Sequence, residues 1–497
     1  MDRRYFTKLI GTVAMSSMAA PALVLPARAM SAEMFKPKAT RRGTYLIKNG
    51  AIITVDPSHG TLPRADIVVR NGIIEQIGEN LSAPDAEVID AKDMIVMPGF
   101  IDAHYHMWSS LGRSFTAADG YAYYPAKWAT APLYTPDDFY VSTMLGHMEL
   151  INAGSTTVHN WDHNTRSPAH ADAELLAHQH SLMRARYAYG HVDRMAPDQV
   201  NRFADIPRVK TQWFSSSSPF EGRVHLGTNL RGPLQSDLQV FYKEMDIVQA
   251  LGLPACIHAA QEAPNLDDAV EYERRGILGP NFLIAHYLPG RSEDFEAMAR
   301  TNTPIAISTQ SELHLTSTGD PRAAIFRMRR AGLKPALSTD ATSIAPPNMF
   351  EMMRLTWDLA VPWKDTQSQG DPPVSISEVI RMATINGAVA LGIADVTGSI
   401  TVGKRADIIM IRTNDINVAP VENVETTVVA AASPANVDTV MIDGRIVKRH
   451  GKLTAHDVEH IVAAAKVSAD RIRNQLGPKL KYTSAVDAQH DCCGYRV

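Results

Sequence analysis

Apolar residues along this chain recur in short runs, and the spacing of the runs changes twice. From Thr44 to Met97 they are strand-like: Tyr45-Leu46-Ile47, Ala51-Ile52-Ile53-Thr54-Val55, Asp66-Ile67-Val68-Val69 and Ile73-Ile74-Glu75-Gln76-Ile77. Asn49-Gly50 and Asn71-Gly72 separate some of these runs. Asn-Gly between β-branched runs predicts a hairpin, because both residues tolerate the positive φ of a tight turn. The texture returns at residues 406–411 and 437–442, with Asp443-Gly444 as a further turn before Ile446-Val447. Residues 30–97 and 396–455 are therefore expected to build one composite β-sandwich domain from both ends of the chain.

The middle, residues 98–395, alternates apolar runs with helical patterns such as 238–251 and 323–331. The runs fall at 99–101, 156–158, 185–189, 224–226, 255–257, 282–285, 304–308 and 335–338. Eight β/α units in one segment predict an α/β fold, a (β/α)8 TIM barrel. Residues 456–497 read as an amphipathic helix, to about 475, and a peripheral tail.

Composition narrows the class. The 497 residues are 45% hydrophobic and 21% charged, which excludes a mainly disordered chain. A net charge of −4 gives no basic footprint for nucleic acid. Three cysteines exclude a disulfide scaffold. Residues 1–29 stand apart: Arg3-Arg4-Tyr5-Phe6-Thr7-Lys8, an uncharged stretch from Leu9 to Ala27, then Ala27-Arg28-Ala29. That set resembles a twin-arginine signal peptide. The expectation is export of the folded protein by the twin-arginine translocase to the periplasm. No stable membrane span remains after cleavage, since no other stretch approaches 18 uninterrupted apolar residues.

Candidate chemistry sits at the predicted strand ends. In Asp102-Ala103-His104-Tyr105-His106 the two imidazoles are two residues apart and face one way on a strand. His258 ends the run Ala255-Cys256-Ile257, His286 ends Leu283-Ile284-Ala285, and Asp340 ends Leu337-Ser338-Thr339. Polar residues at the C-terminal ends of barrel strands read as active site, and this set reads as a mononuclear metal site.

With these residues the chain resembles the amidohydrolase superfamily over residues 44–455. Ala383-Thr384-Ile385-Asn386-Gly387-Ala388 and residues 398–407 look like its closing signature. The resemblance implies that His104, His106, His258 and Asp340 bind one divalent metal ion and that His286 contacts the water or the substrate. Zn2+ suits the donors, as do Fe2+ and Co2+. No lysine ends the fourth strand, where binuclear members carry a carboxylated one, which points to the mononuclear branch of cytosine deaminases and triazine hydrolases. Deaminases of that branch carry H-x-x-E after strand five. Here the run is His258-Ala259-Ala260-Gln261-Glu262, so the position holds an amide that cannot titrate, and Glu262, one residue later, takes its place only if the loop bulges. Val158-His159-Asn160-Trp161-Asp162-His163, Leu230-Arg231-Gly232-Pro233 and Ser311-Glu312-Leu313 look like the phenylurea and molinate hydrolase group.

The expected function is metal-dependent hydrolysis of a C–N bond, as in an amide, urea, carbamate or thiocarbamate. The alternative is an aminohydrolase or dechlorinating hydrolase acting on a heterocycle. Asp340, His286 and His163 are the candidate catalytic residues. Trp108, Trp161, Gln261, Glu312 and His314 are candidate substrate contacts, with Glu312 orienting a substrate N–H. Aromatic residues crowd the segment after the first strand, among them Phe115, Tyr121, Tyr123 and Tyr134. That run fits an apolar pocket wall for a small, aromatic or apolar substrate, or ordinary packing of a long loop. A homo-oligomer is the expected assembly. The substrate, the native metal and any role for Cys492 and Cys493 are not legible.

Overall fold

A computed structural model describes residues 35–38, 41–113, 123–233, 235–259, 268–315, 320–361 and 370–476. Two sheets organise them. The first contains β1 (Thr44–Ile53), β2 (Thr61–Arg70), β3 (Ile73–Gly78), β4 (Glu87–Asp90) and β5 (Met94–Pro98). The second contains β6 (Phe100–Tyr105), β7 (Ser155–Asp162), β8 (Arg184–Tyr189), β9 (Val224–Leu230), β10 (Ala255–His258), β11 (Phe282–Ala285), β12 (Ile305–Ile307) and β13 (Ala336–Leu337). The chain then returns to the first sheet with β14 (Ile408–Arg412), β15 (Val437–Ile442), β16 (Arg445–Arg449) and β17 (Lys452–Leu453).

The second sheet is the barrel. Its neighbours run in chain order from β6 to β13, and each neighbouring pair is parallel. The ring is joined between its last and first strands by two hydrogen bonds. His106 N–H donates to Asp340 O (2.7 Å), and Asp340 N–H donates to His104 O (2.8 Å). All eight predicted apolar runs are barrel strands, and β6, β7 and β8 are buried along their whole length. A strand sealed on both faces is what a near-continuous apolar run encodes.

The composite domain forms as a single nine-stranded sheet that branches at β1. One edge of β1 pairs antiparallel with β2; on the other, its first half pairs with β4 and its second half with β5. β14 joins the two ends of the chain by pairing antiparallel with β5. Ile47, Ile52, Ile67, Val69, Val96, Ile408 and Met410 meet in its core. Asn71-Gly72 and Asp443-Gly444 are hairpin turns with positive φ at both residues (49° and 82°, 53° and 73°). Asn49-Gly50 is not a turn. Asn49 has φ 66°, but β1 continues through it with a register shift against β2. The extra residue makes a bulge, and Asp66 Oδ1 takes up the Asn49 N–H at 2.9 Å.

Only Gly99 separates β5 from β6. A Cβ there would sit 2.1 Å from the Thr156 side chain, so the crossing from sheet to barrel requires glycine. A buried ion pair fastens the two parts, Arg184 Nε on β8 donating to Asp407 Oδ2 at 2.7 Å. Among the described residues no helix is long and apolar enough to cross a membrane.

Candidate metal centre

The strand ends deliver the polar side chains. His104 lies on β6 and His106 just beyond it, with rings 4.7 Å apart. His258 closes β10, and His286 follows β11 directly. His286 and Asp340 have left-handed backbones, φ 64° and 73°. For a residue with a Cβ that costs on the order of 1–3 kcal/mol, and it persists where neighbouring structure fixes it. Ladder bonds do so here: His286 N–H donates to Ala306 O at 3.1 Å, and Asp340 N–H is one of the ring-closing donors.

The side chains converge. His258 Nε2 lies 3.1 Å from His104 Nε2 and 3.2 Å from His106 Nε2. Asp340 Oδ1 is 3.6 Å from His104 Nε2, 3.2 Å from His106 Nε2 and 3.9 Å from His286 Nε2. One ligand atom each from His104, His258, His286 and Asp340 falls within a 4.8 Å span. His106 stands outside that tight group, yet its nitrogen approaches both His258 and Asp340 more closely than His286 approaches Asp340. The cluster is thus five donors sharing His104, His258 and Asp340.

Burial sets the charges. It drives His104 down to about 3 against the opposing hydrogen bond of Asp340, lowers His106, and holds His258 well below the ordinary imidazole range. Burial opposes the Asp340 charge, but hydrogen bonds from His104 and His106 and the charge of His286 outweigh it and hold the carboxyl well below its usual range. Three nitrogens crowded at 3.1–3.2 Å cannot all satisfy one another as donor and acceptor. A cation among them relieves the crowding, and one carboxylate supplies the opposite charge. The donor set fits a divalent ion.

Around the cluster the neighbours are specific. Trp161 is fully buried, its ring 4.1 Å from that of His258. Glu312 stands behind His286: its Oε1 accepts from His286 Nδ1 at 3.0 Å and from Ser308 N–H at 2.9 Å. Burial works against a charge on His286, but the Glu312 hydrogen bond and the Asp340 and Glu312 charges raise its pKa above the ordinary value. Ser311 donates to Asp340 Oδ2, which leaves Oδ1 toward the histidines. Asp102 accepts from His104 N–H (3.2 Å) and Thr339 N–H (3.0 Å), tying β6 to the segment that carries Asp340. His163 packs edge-on to His106 with ring centres 4.5 Å apart. Its Nδ1 accepts the Trp108 indole N–H at 3.1 Å, and its Nε2 faces Asp193 Oδ1 at 3.6 Å.

Of the predicted residues, Trp161 and His163 adjoin the cluster, Trp108 is joined to it through His163, and Glu312 is hydrogen-bonded to His286. His314 is exposed at the end of the helix Thr309–Leu315. Gln261, Phe115 and Tyr121 lie outside the described residues. Sequence reasoning missed Asp102, the hydrogen bond of Ser311 and the buried Lys127–Asp193 pair. Asp102 lies two residues before His104 and Ser311 sits in the Ser311-Glu312-Leu313 motif, whereas Lys127 and Asp193 lie in no motif at all.

A profile of the amidohydrolase family matches residues 95–447. The chain belongs to the amidohydrolase family. This amidohydrolase is an enzyme of C–N bonds, with deaminase and hydrolase relatives. It is 28% identical over 444 residues to the 5-methylthioadenosine/S-adenosylhomocysteine deaminase of Desulforudis audaxviator, covering 86% of this chain and 98% of that protein. It is 25% identical over 439 residues to the 5'-deoxyadenosine deaminase of Methanosarcina acetivorans, with the same coverage. The fold matches a zinc-bound adenosine deaminase of Xanthomonas campestris with TM-score 0.76 and 22% identity, over 88% of this chain and 100% of that one. It also matches the zinc complex of atrazine chlorohydrolase from Arthrobacter aurescens, with TM-score 0.73 and 19% identity, over 86% and 100%.

Proposed function

We propose that this amidohydrolase cleaves an acyl C–N bond, that of an amide, urea, carbamate or thiocarbamate, in a small substrate with an aromatic or apolar part. The phenylurea and molinate hydrolase group is the pattern it follows. The observation that carries the reading is Gln261, three residues after His258, where a ring deaminase needs a carboxyl group to protonate the ring as water adds. Among the described residues, Asp340 is the only carboxylate in the donor cluster, and Glu312 is turned to His286.

His104, His106, His258 and Asp340 would hold the divalent ion, with zinc as the first choice. Such an ion supplies Lewis acidity, making water a nucleophile near neutral pH and polarising the bond under attack. Asp340 Oδ1 accepts the proton of the attacking water and returns it to the leaving nitrogen, so the amine departs neutral. His286, oriented by Glu312 and able to carry charge, stabilises the oxygen of the tetrahedral intermediate. His163 buttresses His106, and Trp108 and Trp161 are apolar walls.

A second reading, deamination or dechlorination of a heterocycle, is favoured by the activities of the relatives. Metal-loaded enzyme assayed against anilides, ureas and carbamates beside 5'-deoxyadenosine and an aminotriazine separates the two. Amine and acid products from the first set are expected. Efficient ammonia release from 5'-deoxyadenosine or the triazine would overturn the acyl reading. The twin-arginine segment supports action in the periplasm after export of the folded, metal-loaded chain.

A further inference from the structure

Next to the cluster, at the same end of the barrel, a second set of charges is buried. Lys127 Nζ lies 3.0 Å from Asp193 Oδ1, with 10% and 7% of the two side chains exposed. His163 Nε2 faces the same oxygen. The Trp108 N–H on His163 Nδ1 leaves the other ring nitrogen to carry its hydrogen toward Asp193. Asp193 Oδ2 is buried and has no hydrogen-bond partner among the described residues. A buried acceptor of a charged group left without a donor is costly, so a native structure retains it only with a reason.

The position supplies one. His163 is in ring contact with His106, which puts the pair one side chain away from the donor cluster. Lys127 also lines a small cavity with Trp108, Tyr123 and Tyr134, with room (≈ 20 Å³) for about one water molecule. Tyr123 is buried within electrostatic reach of both Asp340 and Asp193.

The charges select the ligand. An anionic group at this place would meet Asp193 Oδ2, and a cationic one would meet Lys127. An apolar group would leave Oδ2 unpaired. Only a neutral group with both a donor and an acceptor satisfies the pair. We propose that Lys127 and Asp193 form the polar recognition end of the substrate site, taking a hydroxyl or primary carboxamide carried on the part of the substrate remote from the reacting carbon. This rests on the acyl-hydrolase reading only in placing the reacting carbon at the His–Asp cluster.

The test uses 4-(hydroxymethyl)acetanilide and 4-ethylacetanilide, nearly isosteric and differing in the terminal hydroxyl. Their dissociation constants are measured by calorimetry on the metal-loaded full chain, with turnover followed alongside. The wild type is expected to bind the hydroxymethyl compound about 10- to 100-fold more tightly, the worth of one hydrogen bond to a charged group. Asp193→Ala should abolish the preference. If that variant folds poorly, Asp193→Asn serves: its oxygen stays with Lys127, the ligand hydroxyl accepts from its neutral amide N–H, and the preference should shrink by about fivefold. Equal binding of the two compounds, binding of neither, or a preference undiminished in either variant would overturn the proposal. Discrimination without turnover would keep this subsite and count against acyl hydrolysis; turnover without discrimination would do the reverse.

Discussion

Glu312 offers a graded test of the catalytic arrangement. Its Oε1 holds two N–H groups, His286 Nδ1 at 3.0 Å and Ser308 N at 2.9 Å, and only 1% of the residue is exposed. Glu312→Gln keeps a carbonyl acceptor for both but removes the charge, which separates a charged from a neutral hydrogen bond by about 1 kcal/mol. That predicts a fall in kcat of about fivefold. Glu312→Ala removes both bonds and leaves the His286 N–H buried without an acceptor, at about 1–3 kcal/mol for that group alone. The expected fall is then about 10- to 100-fold or more, with KM nearly unchanged. Steady-state kinetics on a compound the wild type hydrolyses, with metal content measured in parallel, reads the series. Equal kcat in wild type and Glu312→Ala would refute the role given to His286. Loss of metal in Glu312→Gln would mean that Glu312 supports binding of the ion instead.

Three further predictions follow from other parts of the molecule. His104→Ala and His258→Ala should each lose the tightly bound ion, about one per wild-type chain, together with activity; elemental analysis decides it, and an active preparation without metal would refute the site. Asp56 joins residues 54–60 to Thr401: burial raises its carboxyl pKa, but hydrogen bonds from Thr401 and Ser58 outweigh that and hold it at about 2 instead of 3.8. A depressed carboxyl stabilises the fold above its unfolded pKa and loses the contribution as pH falls toward 2, so Asp56→Asn should cost at most about 2 kcal/mol at neutral pH and flatten acid unfolding between about pH 4 and 2. Residues 1–35 fused to a reporter that needs folded export should direct it to the periplasm, and Arg3→Lys with Arg4→Lys should abolish the signal; unchanged export in the double variant would refute the twin-arginine reading.

The barrel was legible because a strand sealed on both faces leaves a compact apolar mark, and all eight runs carried one. The polar residue ending a run was legible for the same reason, as with His258 and Asp340. Asn49-Gly50 misled because its chemistry licenses positive φ without saying whether the chain turns back or bulges; long-range pairing with β2 decided it. The sequence offers Glu312 to the substrate because its place after a strand says nothing of direction. The helix Thr309–Leu315 turns it back onto His286. Lys127 and Asp193 belong to segments that meet only through the fold, and no spacing along the chain announces such a pair.

The central claim is that acyl hydrolysis here runs on Asp340 and His286, without a carboxyl group three residues after His258. Steady-state kinetics of Gln261→Ala and Asp340→Asn on an acyl substrate, with amine and acid quantified, tests it most directly. Gln261→Ala should keep most of its kcat, with the larger change in KM. Asp340→Asn should lose at least roughly 10³-fold in kcat, since a donor to the ion and the proton acceptor go together. An essential Gln261 with a tolerant Asp340 would contradict the account.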